Sequence, residues 1–197
     1  MTTPAGLVLA AGEGRRFGGP KAPYLLDGER LVDRAVRVLR EAGCDPVVVV
    51  LGAWVGDVPG ADVVVNEHWR SGMGSSLRCG LEHLGTAGDR EDDSADRVLV
   101  TLVDLPGLTS EAVGRVAAVE STDPREVLAS ATYDGVRGHP VLFGRSHWDG
   151  VIASATGDRG ARAYLAGRAV RLVEVGDVAT GEDLDTPVPE PHPRFHD

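Results

Sequence analysis

The chain of 197 residues predicts an α/β fold in three layers: a mostly parallel, twisted sheet with helices on both faces, in a Rossmann-like arrangement. Two observations lead there. Short apolar runs alternate with amphipathic helical patterns, and that order implies parallel strands joined by crossover helices. The runs themselves are nearly continuous in Val, Leu and Ala, as strands covered on both faces must be. With 42% hydrophobic residues, the chain has enough apolar content for one ordinary domain, and two would be cramped.

Taken in order, the first strand spans Gly6 to Ala10 and delivers a glycine-rich loop. A helix follows from Leu31 to Ala42, where Leu31, Val32, Ala35, Val36, Val38 and Leu39 recur at three-and-four spacing and Gly43 supplies a left-handed stop. Strands are expected at Pro46 to Leu51 and Asp62 to Val65, then a helix at Ser75 to Leu84 with Leu77, Leu81 and Leu84 as its apolar stripe. Gly85 to Arg97 is strongly polar and reads as a solvated loop. Further strands are expected at Val98 to Val103, Val127 to Thr132 and Val170 to Val175, with a helix at Ser110 to Val119. Thr132 to Phe143, turning at Asp134-Gly135, reads as a hairpin that breaks the alternation and suits a substrate-side flap. Residues 1–186 therefore form one domain. Residues 187–197 alternate proline with polar residues, a composition expected to be extended or disordered.

The most informative segment runs from Leu9 to Lys21, LAAGEGRRFGGPK. It leaves the first strand with no polar residue before Gly12, so it sits where a buried parallel strand reaches the carboxyl edge of its sheet. Gly12, Gly14, Gly18 and Gly19 leave no Cβ between backbone N–H groups and a phosphate oxygen, and Arg15, Arg16 and Lys21 supply charge. It reads as a phosphate-binding loop. The spacing is not G-x-G-x-x-G, and the strand Val47 to Leu51 ends in Gly52-Ala53-Trp54 without an acid to hold a ribose. Lys21 is followed by Ala22, so this is not a Walker loop either.

A formal charge of -10 argues against nucleic acid or a membrane surface as partner, because polyanion binding needs a broad basic face. The cations near Arg15 to Lys21 suit a small phosphorylated ligand instead. Cys44 and Cys79 form no disulfide framework and no metal-ligand cluster, and the start of the chain carries no signal-peptide pattern. No run approaches the roughly 18 residues needed to span a bilayer. A cytoplasmic protein is the expectation.

Asp104 follows the most apolar strand and precedes Leu105-Pro106, so its carboxylate emerges at the same edge as the glycine loop. A turn-forming or capping aspartate is the plain alternative. The functional reading is a ligand for a hard cation that screens a triphosphate. A phosphate monoester has a second pKa of about 6, so at neutral pH it is already a nucleophilic dianion and needs no general base. What remains for the protein is alignment and charge stabilisation.

Leu9 to Lys21 resembles the L-A-A-G-x-G-x-R-x-G-x-P-K signature of the MobA-like nucleotidyltransferases, specifically the molybdenum-cofactor cytidylyltransferase branch. Six more segments match in order: Gly28 to Gly43, Val64 to Leu81, Val98 to Thr109, Gly138 to Phe143, Gly157 to Arg162 and Asp183 to Pro187. The resemblance implies a nucleotide-diphospho-sugar transferase type of fold and a Mg²⁺-dependent transfer of CMP from CTP. The implied acceptor is a phosphorylated pterin, the molybdopterin-molybdenum cofactor; pyrophosphate is released, and the enzyme touches a molybdenum enzyme transiently. It implies catalytic roles for Arg16, Lys21 and Asp104, and magnesium on Asp104 and Asp185, with Asp183 a weaker candidate. The nucleotide falls to Leu9, Ala10, Ala11, Gly12, Glu13, Gly14, Arg15, Lys21, Asn66, Gly72, Ser75 and Ser76. The acceptor falls to Gly138, His139, Arg159 and Gly160. Choice of a pyrimidine rests on Ala11, where the guanylyl branch carries glycine; one methyl is worth about 1 to 3 kcal/mol of discrimination.

Taken singly, several of these residues have plainer readings: Ser75 and Ser76 as helix caps, Asn66 as a turn, His139 as packing, Arg159 as an exposed loop arginine. Three rival functions also stand. One is a nucleotidyltransferase with a guanylyl or other base and a different phosphorylated acceptor. Another follows relatives sharing the loop and a GMGSSL-like segment that are oxidoreductases acting on a pigment from nicotine breakdown with a reduced nicotinamide. The last is a noncatalytic sensor or cofactor chaperone.

Overall fold

The computed structural model describes residues 3–87 and 95–188. Strand β1 (Ala5–Leu9) is buried along its whole length because it runs through the middle of a seven-stranded sheet. A small hairpin follows, β2 (Leu25–Leu26) and β3 (Glu29–Arg30), which the sequence reading had not anticipated. The chain continues through α1 (Leu31–Glu41), β4 (Val47–Leu51), β5 (Asp62–Val65), α2 (Met73–Ala87) and β6 (Arg97–Leu102). Next come α3 (Ser110–Ala117), β7 (Leu128–Tyr133), β8 (Val136–Gly144), α4 (Trp148–Ser154), α5 (Arg162–Leu165) and β9 (Arg171–Glu174).

The strand order of this sheet is β5-β4-β1-β6-β8-β7-β9, and of its seven strands β8 is the one that runs against its neighbours. Every residue of β1 and β4 is buried, as the unbroken apolar runs require. Alternate residues serve opposite faces. Val8, Val47 and Val49 pack with Val32, Val36 and Leu39 of α1 and with Val113 and Val116 of α3. Leu7, Val48 and Val50 pack with Leu77 and Leu81 of α2 and with Trp148 and Val151 of α4. Each such buried aliphatic contributes about 1.5 to 3 kcal/mol, so the two faces, not local propensity, hold the layers together. Helix α1 stops where expected: Gly43 takes φ +87 and its N–H bonds to Arg40.

The hairpin at Thr132 to Phe143 is corrected from a flap to part of the core. Asp134 and Gly135 form the tight turn with φ of 51 and 78, but β8 then inserts between β6 and β7, pairing Val100 with Val141 and Val98 with Phe143. Pro140 to Gly144 are all buried, and five such residues cannot stand out in water; only the end near Val136 is free. The polar loop is also shorter than expected: α2 runs through Ala87 and β6 begins at Arg97. The rest of that stretch, residues 88–94, and residues 189–197 of the tail lie outside the described residues. No described helix is long and apolar enough to cross a membrane.

Because β1, β4, β5 and β6 run the same way, their carboxyl ends at Leu9, Leu51, Val65 and Leu102 share one edge of the sheet. Strand β8 runs oppositely, so its beginning, with Gly138 and His139, reaches the same edge.

Candidate functional site

Past Leu9 the backbone turns tightly. Gly18 and Gly19 both donate their N–H to the carbonyl of Gly14, at 2.9 and 3.2 Å. Gly14 sits at φ +61, and a side chain there would run into the Gly19 carbonyl, so glycine is required. Phe17 is buried and pins the loop, its ring edge-on to Tyr24 at 4.8 Å. The loop thus projects over a cavity of about 420 Å³ lined by Leu9, Ala10, Ala11, Gly12, Glu13, Gly14, Arg15 and Lys21 on one side. The other walls come from Trp69, Arg70, Gly72, Met73, Ser76, Leu102, Val103, Asp104 and Asp158.

Lys21 and Asp104 meet directly. The ammonium lies 2.7 Å from Asp104 Oδ2 and 3.5 Å from Asp185 Oδ1, with the lysine side chain only 13% exposed. Arg16 reaches Asp185 at 3.9 Å but is 85% exposed and does not line the cavity. Arg15 lines it while paired with Glu13. Burial, then the charges of Asp104 and Asp185, push the Asp183 carboxyl above its ordinary range. Asp104 and Asp185 beside the largely covered Lys21 ammonium, with Asp183 electrostatically coupled to both, are hard-oxygen groups of the kind that hold Mg²⁺ or Mn²⁺ together with phosphate and water. It is no closed cage: among the described residues no cluster of three or more His, Cys, Asp or Glu is arranged to hold a metal alone.

The segment after β5 is knitted internally. Asn66 donates its side-chain N–H groups to Ser75 Oγ at 2.8 Å and Ser76 Oγ at 3.1 Å, and accepts from the His68 N–H at 2.9 Å. Ser75 Oγ in turn lies 3.0 Å from the His68 carbonyl and 2.8 Å from that of Gly72. Asn66 and Ser75 therefore hold the loop's shape, and of the three only Ser76 lines the cavity. Gly72, at φ +104, lets the turn Gly157–Arg159 press against it, which brings Asp158 into the cavity wall.

A second cavity of about 390 Å³ shares Leu9, Met73, Leu102 and Asp158 with the first. It contains all four expected acceptor residues, Gly138, His139, Arg159 and Gly160, over a floor that includes Leu77, Val100, Leu105, Val141, Phe143 and Leu165. His139 is half-buried with Nδ1 3.2 Å from the Val100 carbonyl, and desolvation lowers its pKa below the ordinary value, which favours the neutral imidazole at pH 7. Sequence reasoning missed Arg137 and Arg162, which also line this cavity, and Trp69 with Arg70 in the first, where the guanidinium lies 4.3 Å over the indole. Their one legible signal was position: each lies inside or beside a matched motif, within an acidic chain.

A family model described as the MobA-like NTP transferase domain matches residues 6–175. Nicotine blue oxidoreductase of Paenarthrobacter nicotinovorans is 37% identical, over 92% of this chain and 91% of that protein. A probable molybdenum cofactor guanylyltransferase of Opitutus terrae is 40% identical, over 53% of this chain and 49% of that one. Among solved structures, the Rv0371c homologue from Mycobacterium sp. strain JC1 superposes with a TM-score of 0.74 at 28% identity, covering 92% and 90% of the two chains. The manganese complex of Rv0371c from Mycobacterium tuberculosis H37Rv superposes with a TM-score of 0.67 at 26% identity, covering 88% and 89%.

Proposed function

The chain belongs to the MobA-like NTP transferase family, a family of nucleotidyltransferases, and from that membership we propose that it moves CMP from CTP onto a phosphorylated pterin-type acceptor, the molybdenum cofactor, releasing pyrophosphate. The observation that carries this reading is the pairing of Lys21 with Asp104 beneath the glycine loop, in a cavity that shares a wall with a second one. A triphosphate in the first cavity and a phosphate dianion in the second would approach each other where the two cavities share Leu9, Met73, Leu102 and Asp158, the adjacency that in-line displacement needs.

The loop N–H groups from Gly12 onward bind the phosphates, Lys21 follows the pyrophosphate as it leaves, and Arg16 folds in from solvent to meet it. Asp104 and Asp185 would hold a divalent cation; the solved structure of the mycobacterial relative Rv0371c as a manganese complex supports a metal in this fold. When bound, that ion draws off negative charge from the bridging and departing oxygens. The acceptor phosphate attacks as the dianion, so neutral His139 shapes the acceptor cavity and takes no proton. Choice of CTP rests on Ala11, buried beside Gly52 and Trp69 where its methyl narrows the base end.

The test is pyrophosphate release with CTP, GTP, ATP or UTP, the acceptor, and Mg²⁺ or Mn²⁺. CTP with the acceptor is the productive pair; release with GTP alone among the four sinks the base assignment, and release with none sinks the transferase reading. One observation favours a second reading, a nicotinamide-dependent oxidoreductase: the 37% identity to the nicotine blue enzyme across nearly the whole chain. Against it, the space where an acid at the end of β4 would hold a ribose is filled, since any side chain at Gly52 meets Trp69 and Ala11. Oxidation of NADPH by the pigment in the presence of the protein decides for that reading.

A further inference from the structure

Asp185 stands on the segment after the last strand, which has neither helix nor sheet bonds to fix it, and its side chain is 54% exposed. Ion pairs to Lys21 at 3.5 Å and Arg16 at 3.9 Å are too long and too wet to fix its position. Two backbone anchors flank it instead. Leu184 donates its N–H to the Asp104 carbonyl at 2.8 Å. Val188 donates its N–H to the hydroxyl of Tyr24 at 3.1 Å, and that hydroxyl donates to the Val188 carbonyl at 3.1 Å.

We propose that Tyr24 is a positioning residue for the metal centre: its hydroxyl latches Val188 and so holds the Asp185 carboxylate against the phosphate loop. Tyr24 is itself part of that loop's frame. Its ring stacks edge-on against buried Phe17 at an interplanar angle of 89°, its N–H bonds to the Lys21 carbonyl at 3.0 Å, and its own carbonyl accepts from Leu31 at the start of α1. A phenol is suited to the task because it donates and accepts at once, satisfying both polar groups of one residue. The latch spans 164 positions of sequence and, with the Leu184 bond, ties a segment from late in the chain to both sides of Asp185.

The inference rests on the reading that Asp185 binds the cation. The test titrates Mn²⁺ into the full chain with CTP present and no acceptor, following free Mn²⁺ by its paramagnetic resonance. Tyr24→Phe keeps the ring against Phe17 and removes only the hydroxyl. It should raise the Mn²⁺ dissociation constant about three- to tenfold, the range expected for losing one or two hydrogen bonds, while the melting temperature moves by less than about 3 °C. Val188→Pro deletes the N–H from the other side and should do the same. In an Asp185→Asn background neither change should weaken Mn²⁺ further. If Asp185→Asn weakens Mn²⁺ and Tyr24→Phe does not, the latch is wrong and the metal reading stands. If Asp185→Asn leaves Mn²⁺ binding intact, the metal reading of Asp185 is wrong and the role of Tyr24 goes with it.

Discussion

In the proposed mechanism Asp104 is the residue on which the chemistry turns. It is anchored on the last turn of the sheet edge, its backbone carbonyl accepts from Leu184, and its carboxylate meets the Lys21 ammonium at 2.7 Å. Asp104→Asn keeps the shape and removes the charge. The proposed mechanism then expects kcat to fall about a hundredfold or more, while CTP binding persists in part through the loop amides. Steady-state kinetics beside calorimetric CTP titration checks this; an equal loss of binding and turnover points to a merely structural aspartate. Other residues have roles the sequence left ambiguous. From sequence, Asn66 and Ser75 can reach the nucleotide or close a turn and cap a helix; in the fold their side chains are engaged in hydrogen bonds within the loop. Ser76 differs from Ser75 by one position yet lines the cavity, because adjacent helical residues point about 100° apart.

At the scale of elements, the β7–β8 hairpin shows how an apparent flap becomes a brace. Glu174 on β9 accepts from Thr132 Oγ1 at 2.7 Å and from the N–H groups of Asp134, Gly135 and Gly176 at 2.9, 3.1 and 3.0 Å. These bonds, the Thr132 hydroxyl foremost, pull its pKa from 4.5 down to about 2. A lowered folded pKa means the unfolded chain binds the proton first. Glu174 therefore stabilises the fold fully above pH 4.5, and that contribution fades as pH drops toward 2. Glu174→Gln should lower the melting temperature at pH 7 and make almost no difference near pH 2, so the two melting curves converge on acidification. Parallel curves across that range would remove the carboxylate from the account. The brace bears on the proposed function because β8 carries Gly138 and His139 to the second cavity, the proposed acceptor site, and Ser130 and Tyr133 of β7 bond the carbonyls of those same residues at 2.9 and 2.6 Å.

For the whole molecule, the two cavities meet where the later half of the chain docks on the earlier half. Gly72, just before α2, lies against the turn Gly157–Arg159, and a Cβ there would come within 2.7 Å of Asp158 Oδ1. Since Asp158 lines both cavities, that contact sets the partition between them. Gly72→Ala forces an unfavourable φ of +104 as well as the clash, and should raise KM for nucleotide and acceptor together by about tenfold, with a smaller change in kcat. Initial rates with each substrate varied in turn test it. A rise in one KM alone means that the cavities are independent.

The sequence by itself determined the layers, the glycine loop and the carboxyl-edge placement of Asp104. Those are local matters: a buried strand must be apolar throughout, a turn as tight as that at Gly14 must lack a Cβ, and parallel strands must all end on one side. It also marked His139, Arg159 and Gly160 through their motifs, and the structure gathers them in one cavity. The tertiary structure alone decided that β8 enters the sheet, that Arg16 faces water while Lys21 is largely covered and paired with Asp104 and Asp185, and that Tyr24 meets Val188. Each of those depends on which distant segments become neighbours. Periodicity along a chain carries no record of that, because it is settled by burying the two faces of the sheet at once.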